Sequence, residues 1–221
     1  MSARYPPTYD SPLEVRVWGD YACFTRPEMK VERVTYPIPT PSAMRGVLEA
    51  IFWKPEFTWR IQEIWVLRPI RYFSILRNEV NSQMSNRSAR NWERNGGGYV
   101  ASEDRAQRHT LALRDVDYLV RAQIEVKPHV QENPAKYRDQ FRRRVHQGRC
   151  FTRPYLGCRE FAAHFGPANG DEQPIPVDDD LGLMLLDIDY AAEGDRNTPR
   201  LFRARLEHGI LRVAHPSDEE A

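Results

Sequence analysis

Cysteine is scarce in this sequence, and the few cysteines that it has form no pattern. Three cysteines occur among 221 residues, at Cys23, Cys150 and Cys158. The odd number and the lack of a C-x-x-C pair argue against a disulfide framework and against a cysteine zinc site. We therefore expect free, structural thiols in a cytoplasmic protein.

Long apolar runs are also missing. No stretch approaches the ~18 to 20 apolar residues that a membrane-spanning helix needs. The first ten residues, MSARYPPTYD, lack the apolar segment of a secretory signal. The six histidines show no ligand spacing, and no cofactor-binding motif is present. The sequence thus predicts a cytoplasmic protein that uses no membrane, metal or cofactor.

What the chain does contain is arginine, and it is unevenly placed. Of 32 cations, 28 are arginine and four are lysine. Residues 1–160 hold 27 Lys and Arg against 18 Asp and Glu, whereas residues 161–221 hold 5 against 13. Arginine suits bidentate contact with phosphate. We expect the cations of the first 160 residues to gather into one surface for a polyanion.

The most basic stretch is NPAKYRDQFRRRVHQGR at 133–149, with six cations and one carboxylate. Asn133 is a suitable N-cap, Pro134 fits the first helical position, and Gly148 is a suitable terminator. An apolar stripe is formed by Tyr137, Phe141 and Val145. The pattern predicts an amphipathic helix that packs by one narrow face and exposes cations on the rest.

The remaining patterns predict a mixed chain order. Strands are predicted at 13–24, 58–76, 116–126, 181–190 and 199–213, a turn followed by a strand at 151–166, and a helix at 40–53. Pro69 divides the second of these strands, and the last is expected to turn at His208-Gly209. The polar stretch 77–110 has no apolar periodicity and is interpreted as a functional flap or mobile loop.

This order predicts an α+β fold. A ferredoxin-like βαββαβ domain, which is also the RNA-recognition (RRM-like) architecture, is expected over residues 1–166. A small C-terminal antiparallel β extension is expected over 167–221.

Several sequence runs, in order, resemble one known family. They are GDYACFTRPEMKVERVTYPIPTPSAMRGVLEAIFWKP (19–55), RPI and RNEV (68–70 and 77–80), LRDVDY (113–118), NPAKY…FRRR…G (133–148), PYLGCREF (154–161) and LGLMLLDIDY (181–190). Together they resemble the fifth numbered family of CRISPR-associated (Cas) proteins in its type I-C form, within the RAMP superfamily.

The resemblance implies a subunit of the type I-C interference complex, Cascade. Such a subunit cleaves precursor CRISPR RNA in the repeat hairpin without a metal and then holds the 5′ handle. The implied partners are CRISPR RNA, the backbone and large subunits of the complex, and target DNA through the complex. Metal-free cleavage by a 2′-OH leaves a 2′,3′-cyclic phosphate and requires a base, an acid and a cation on the phosphorane charge.

The resemblance also implies which positions do this work. The family assigns them to a tyrosine in an I-x-W-K-P motif and to a Lys-His pair, which correspond here to Phe52, Lys136 and Tyr137. We predict that Lys136 stabilises transition-state charge, that Tyr137 has an acid/base role, and that Phe52 and Trp53 line the site. The predicted RNA contacts are Arg26, Lys30, Arg45, Trp53, Lys54, Arg142, Arg143, Arg144, Arg149 and Arg153.

Other interpretations stay open at this point. Because Phe52 has no hydroxyl and Tyr137 replaces a histidine, the protein can instead be a non-catalytic cap that holds a handle cut by another enzyme. Tyr137 can also be an ordinary core aromatic, since it lies on the apolar stripe. A sequence-tolerant binder of double-stranded DNA is a third possibility.

Overall fold

Strands dominate the fold, and helices lie between them along the chain. The computed structural model describes residues 11–29, 31–189 and 198–213. Its strands are β1 (Leu13–Ala22), β2 (Arg33–Val34), β3 (Phe57–Val66), β4 (Tyr72–Val80), β5 (Arg105–Val126), β6 (His164–Gly166), β7 (Asp179–Asp189), β8 (Thr198–Glu207) and β9 (Ile210–Arg212). Its helices are α1 (Pro41–Ile51), α2 (Asn86–Asn95) and α3 (Pro134–His146).

The strands form one sheet, which is antiparallel along its main path. The order is β6-β1-β5-β3-β9-β8-β7, and β2 and β4 also pair with β5. Strand β5 is the spine, because its C-terminal half pairs with both β1 and β3. Strand β9 joins β3, so the C-terminal strands continue the sheet that holds the first strands. The fold is therefore a mixed α/β fold, as the predicted α+β class requires.

Both helices predicted from the sequence begin where their capping residues stand. The Thr40 hydroxyl accepts a hydrogen bond from the Ala43 amide, and the Asn133 side chain accepts one from the Ala135 amide. A proline opens each helix, where its missing N–H costs nothing. Gly148, with φ of 62°, ends α3, as predicted.

Helices α1 and α3 supply one side of the hydrophobic core. Val15 and Val17 of β1 are fully buried with Met44 and Leu48 of α1 and Phe141 of α3. The alternation of burial from Leu13 to Asp20 of β1 follows from the period of two of a strand.

The segment 77–110, interpreted as a functional flap or mobile loop, is largely regular, so the loop alternative is wrong and the flap stays a prediction. Strand β4 pairs with the N-terminal half of β5 from Tyr72–Leu113 to Val80–Arg105, and α2 lies in the connection. The prediction failed because this hairpin is exposed on both faces, so neither strand shows an apolar alternation. None of the residues of α2 is buried.

The predicted hairpin at His208-Gly209 is confirmed. His208 and Gly209 connect β8 to β9 with φ of 49° and 75°, the pair of positive values that a type I′ turn requires. Among the described residues, none of the helices is long and apolar enough to cross a bilayer.

Candidate nucleic-acid interface

The end of α1 and the start of α3 meet through an aromatic cluster. The Phe57 ring lies 5.3 Å from the rings of both Phe52 and Tyr137, measured between centroids. Trp59 packs edge-on against Phe141 at 4.7 Å and donates a hydrogen bond from its indole N–H to the Phe52 carbonyl at 2.8 Å. Strand β3 thus fixes the two helices relative to each other.

The end of α3 contacts the end of α1 directly. The Arg144 guanidinium donates a hydrogen bond to the Ile51 carbonyl at 3.0 Å and lies 5.5 Å from the centroid of the Phe52 ring. The turn after α3 follows the Schellman pattern, because the Arg149 amide bonds to the Arg144 carbonyl and the Gly148 amide to the Val145 carbonyl. This turn presents Arg149 beside Arg144.

One face of α3 carries only polar side chains. Lys136, Gln140, Arg143 and Gln147 follow each other at intervals of four, three and four residues, which places them above one another on the helix. The two cations of this face are two turns apart, about 10.5 Å along the axis. We call the surface that this face forms with the end of α1 the α1–α3 surface. Its members are Trp53, Lys54, Lys136, Gln140, Arg143, Arg144, Gln147 and Arg149.

Lys136 lies at the N-terminal end of this surface and is solvent-exposed. Its ammonium donates a hydrogen bond to the Glu132 carboxylate at 2.8 Å. This hydrogen bond, and then the charge of Glu132, raise the pKa of Lys136, whereas the pKa of Glu132 is lowered by the same contact and by the charge of Lys54. Lys136 is consequently a cation throughout the neutral range, as its predicted electrostatic role requires.

Tyr137 is buried beside Lys136, with only 1% of its surface exposed. Burial, followed by the charges of Glu56 and Glu132, raises the pKa of the Tyr137 phenol, and only Lys136 opposes them. A raised pKa makes Tyr137 a weaker base and keeps its proton in place at neutral pH. Of the two halves of its predicted acid/base role, proton donation is the one that this environment favours.

Glu56 is a residue of this region that sequence reasoning missed. Its carboxylate is close enough to affect the pKa values of both Lys136 and Tyr137. One of its oxygens, Oε2, is buried and has no hydrogen-bond partner among the described residues. The signal in the sequence was its place in the motif FWKPEF, directly after Lys54-Pro55.

Phe52 and Trp53 are adjacent in sequence but differ in exposure. Phe52 is 2% exposed and belongs to the aromatic cluster, whereas Trp53 is 55% exposed. Phe52 therefore lies under the surface, where it supports Arg144, and Trp53 forms part of the surface itself.

Three of the predicted RNA-contacting arginines have neither an ion pair nor a side-chain hydrogen bond with a described residue: Arg143, Arg149 and Arg153. All three are exposed. An exposed guanidinium that lacks a carboxylate partner is available to a phosphate. These three arginines are the strongest phosphate-contacting candidates of the predicted set.

The other predicted contacts lie elsewhere or are already engaged. Arg142 is on the opposite flank of α3 and pairs with Asp139 at 3.2 Å. Arg45 forms a double hydrogen bond with Asp187, one of them at 2.7 Å. The Arg26 guanidinium lies 4.5 Å from the centroid of the Tyr36 ring. Lys30 falls outside the described residues.

The expectation that the cations of the first 160 residues gather on one surface is wrong. On the sheet face opposite α1 and α3, Arg16 pairs with the buried Asp117 at 2.6 Å, and Arg121 pairs with Glu14 at 2.9 Å. Arg138 of α3 is itself buried and bonds to Gln123. Arg16 and Arg121 are neutralised by carboxylates that are distant in sequence, and Arg138 is removed from the surface by burial. The basic surface is therefore smaller than the composition implied.

Among the described residues, no group of three or more His, Cys, Asp or Glu side chains is placed to hold a metal ion.

The likeness to solved structures is one of fold. One solved structure, described as the crystal structure of a CRISPR-associated protein, superposes with a TM-score of 0.67 over 94% of this chain and 93% of that chain at 21% identity. A mixed α/β fold of the CRISPR-associated kind with a basic helical surface is thus the class that the architecture defines.

Sequence comparison places the chain within that class. A family model described as CRISPR-associated protein (Cas_Cas5), in its Cas5d form, matches residues 12–214. A protein of Thermus thermophilus is 42% identical over 91% of this chain and 90% of its own length. A protein of Mannheimia succiniciproducens is 43% identical over 91% of this chain and 94% of its own length. Both are named CRISPR pre-crRNA endoribonuclease Cas5d. The chain belongs to the Cas5d family of CRISPR-associated proteins.

Proposed function

We propose that this protein is a pre-crRNA endoribonuclease that cleaves the CRISPR repeat without a metal and then holds the 5′ handle in the type I-C interference complex. The names of relatives 42% and 43% identical over nine-tenths of the chain support the activity. The observation that carries the proposal is that Lys136 and Tyr137 lie beside the end of α1, at one end of an exposed basic surface. The two segments to which the family resemblance assigns the reaction, one with Phe52 and one with Lys136 and Tyr137, are adjacent in space.

The α1–α3 surface, together with Tyr137 directly beneath it, supplies what such a reaction needs from the protein. Lys136, kept cationic by Glu132, offsets the charge that develops on the phosphorane. Tyr137, whose phenol keeps its proton at neutral pH, protonates the leaving 5′ oxygen. Arg143 and Arg149 bind phosphates further along the RNA and fix the position of the scissile bond.

Glu56 is our candidate for the base that activates the 2′-OH. Its buried oxygen has no partner among the described residues, and its charge is felt by both Lys136 and Tyr137. Tyr137 stands at the histidine position and is a poor base. A carboxylate near two proposed catalytic groups can accept the proton in its stead.

We also propose that the core is a ferredoxin-like βαββαβ unit that carries its RNA site on the helical side. The order β6-β1-β5-β3, with antiparallel neighbours, and the pairing of α1 with α3 support this interpretation. The sheet face, which RRM domains use for RNA, carries paired charges here. We place the complete protein in the cytoplasm, with the backbone and large subunits as partners and with target DNA reached through the complex.

The test is cleavage of the organism's own repeat RNA by the purified protein in excess EDTA, with analysis of the product ends. We expect a 2′,3′-cyclic phosphate and a 5′-OH, and no cleavage when the nucleotide before the scissile bond is 2′-deoxy. RNA that binds but stays intact would support the non-catalytic cap, and equal affinity for duplex DNA would support the DNA binder.

A further inference from the structure

Phe151 is a large aromatic side chain that has almost no packing role. It is 82% exposed, more than any other large apolar side chain among the described residues. Burying a phenylalanine side chain normally stabilises a protein, and Phe151 does not contribute this stabilisation. An exposed aromatic at an ordered position is therefore a candidate for ligand contact.

The backbone holds Phe151 in a fixed place beside the α1–α3 surface. The amides of Phe151 and Thr152 both donate to the Ala50 carbonyl, at 2.8 and 3.2 Å. Ala50 lies in the last turn of α1, next to the Ile51 carbonyl that accepts from Arg144. The aromatic ring thus stands at the C-terminal end of the basic surface and does not depend on a flexible loop for its position.

Two cations flank Phe151 in the sequence. Arg149 and Arg153 precede and follow it by two residues, are exposed, and have no ion pair with a described residue. An exposed ring between guanidinium groups differs from a protein-docking patch, which presents contiguous apolar surface. Alternating aromatic and basic side chains are what single-stranded nucleic acids bind, because the rings stack with bases and the cations contact the backbone.

We propose that Phe151 stacks with an unpaired base of the repeat RNA while Arg149 and Arg153 hold the flanking phosphates. This subsite rests on the proposed RNA-binding function and extends it from phosphate contact to contact with a base. It anchors the single-stranded RNA at the end of α3 that is opposite to Lys136.

The test uses non-cleavable repeat RNA, 2′-deoxy at the scissile nucleotide, with 2-aminopurine placed in turn at each unpaired position. The full-length wild type is compared with F151A, F151L and F151W, and with L183A, which removes an exposed apolar side chain from β7. We expect the wild type and F151W to quench one position. F151A and F151L should lose that quenching, and F151A should weaken binding roughly 5- to 100-fold. L183A should match the wild type.

The outcomes separate this proposal from the function on which it rests. If the wild type does not bind repeat RNA, the proposed function itself is wrong. If the wild type binds and F151A matches it in affinity and quenching, only the stacking subsite is wrong. If F151A binds RNA normally but no longer co-purifies with the other subunits of its complex, Phe151 is a protein contact and the proposal is overturned.

Discussion

The Lys54 ammonium lies 5.7 Å from the centroid of the Tyr137 ring, a cation–π contact between the segment after α1 and the first turn of α3. It joins two of the motifs that carry the family resemblance, the run that ends in FWKP and the run NPAKY. The charge of Lys54 also reaches Glu132, the partner of Lys136. The proposed catalytic end of the surface is therefore a single electrostatic unit built from two distant segments.

Removal of the Tyr137 hydroxyl tests its proposed role as a proton donor. Y137F keeps the ring in the aromatic cluster, so we expect the free energy of unfolding to change by less than about 1 kcal/mol. Cleavage should fall at least tenfold, with RNA affinity unchanged. Denaturant unfolding and single-turnover cleavage measure the two quantities. Full activity in Y137F would leave Tyr137 as a core aromatic only.

The proposed base can be tested by replacing the Glu56 carboxylate with an amide. E56Q keeps the size of the side chain and removes the charge, so cleavage should fall while repeat RNA binding stays the same. E125Q, which changes a carboxylate on β5 that pairs with Arg60, is the control and should leave cleavage intact. Unchanged single-turnover rates in E56Q would exclude Glu56 as the base.

Salt dependence distinguishes phosphate contacts from ordinary surface charge. R143A and R149A should each weaken RNA binding and reduce the slope of log affinity against log salt by about one contact, 0.7–0.9. R203A, which removes an exposed arginine paired with Asp180 at 2.7 Å, is the matched control and should leave the slope unchanged. If all three variants have the wild-type slope, Arg143 and Arg149 do not contact RNA phosphates.

Two arginines of α3 should differ in their effect on stability. The Arg138 side chain is 3% exposed and bonds to Gln123 at 2.6 Å and to the Ser11 carbonyl. R138A should lower the free energy of unfolding by about 2–4 kcal/mol, because it removes a buried side chain and leaves two part-buried acceptors without a donor. R142A, which removes a surface ion pair, should change it by less than about 0.5 kcal/mol. Similar values for both would show that Arg138 is not a structural residue.

Cys158 should be a reactive thiol. A hydrogen bond from Cys23 and then the charge of Arg33, whose guanidinium lies 3.6 Å from the sulfur, lower the pKa of Cys158 against the opposing effects of burial and of Glu160. Because the reactive form of a thiol is its thiolate, reactivity should rise with pH to a midpoint below the ordinary thiol pKa and be lost as the pH falls through that midpoint. Alkylation followed by mass spectrometry across pH 5–9 checks this, with C158S as the control. A midpoint near the ordinary thiol value of about 8.5 would contradict it.

Local signals predicted the parts of the fold that depend on neighbouring residues. Thr40 and Asn133 cap the starts of α1 and α3, and Gly148 ends α3. The turn between β8 and β9 depends on His208 and Gly209 alone. The hairpin of β4 and β5 escaped prediction because a strand exposed on both faces has no periodic pattern to detect.

The site was predictable only in part, for an electrostatic reason. The run of cations on α3 gave Lys136 and Arg143 correctly as exposed side chains, but it gave no sign that Arg138 points into the core. Arg45 pairs with Asp187 of β7, which is far along the chain. Ion pairs between distant segments decide which cations remain for RNA, and a single sequence does not record them.

The most direct measurement is the cleavage of repeat RNA in EDTA by K136A. The control is K127A, which removes the lysine directly after β5. The account predicts that K136A loses cleavage by at least a hundredfold, binds the RNA as tightly as the wild type, and unfolds at the same denaturant concentration, while K127A cleaves normally. Cleavage by K136A at the wild-type rate would contradict it.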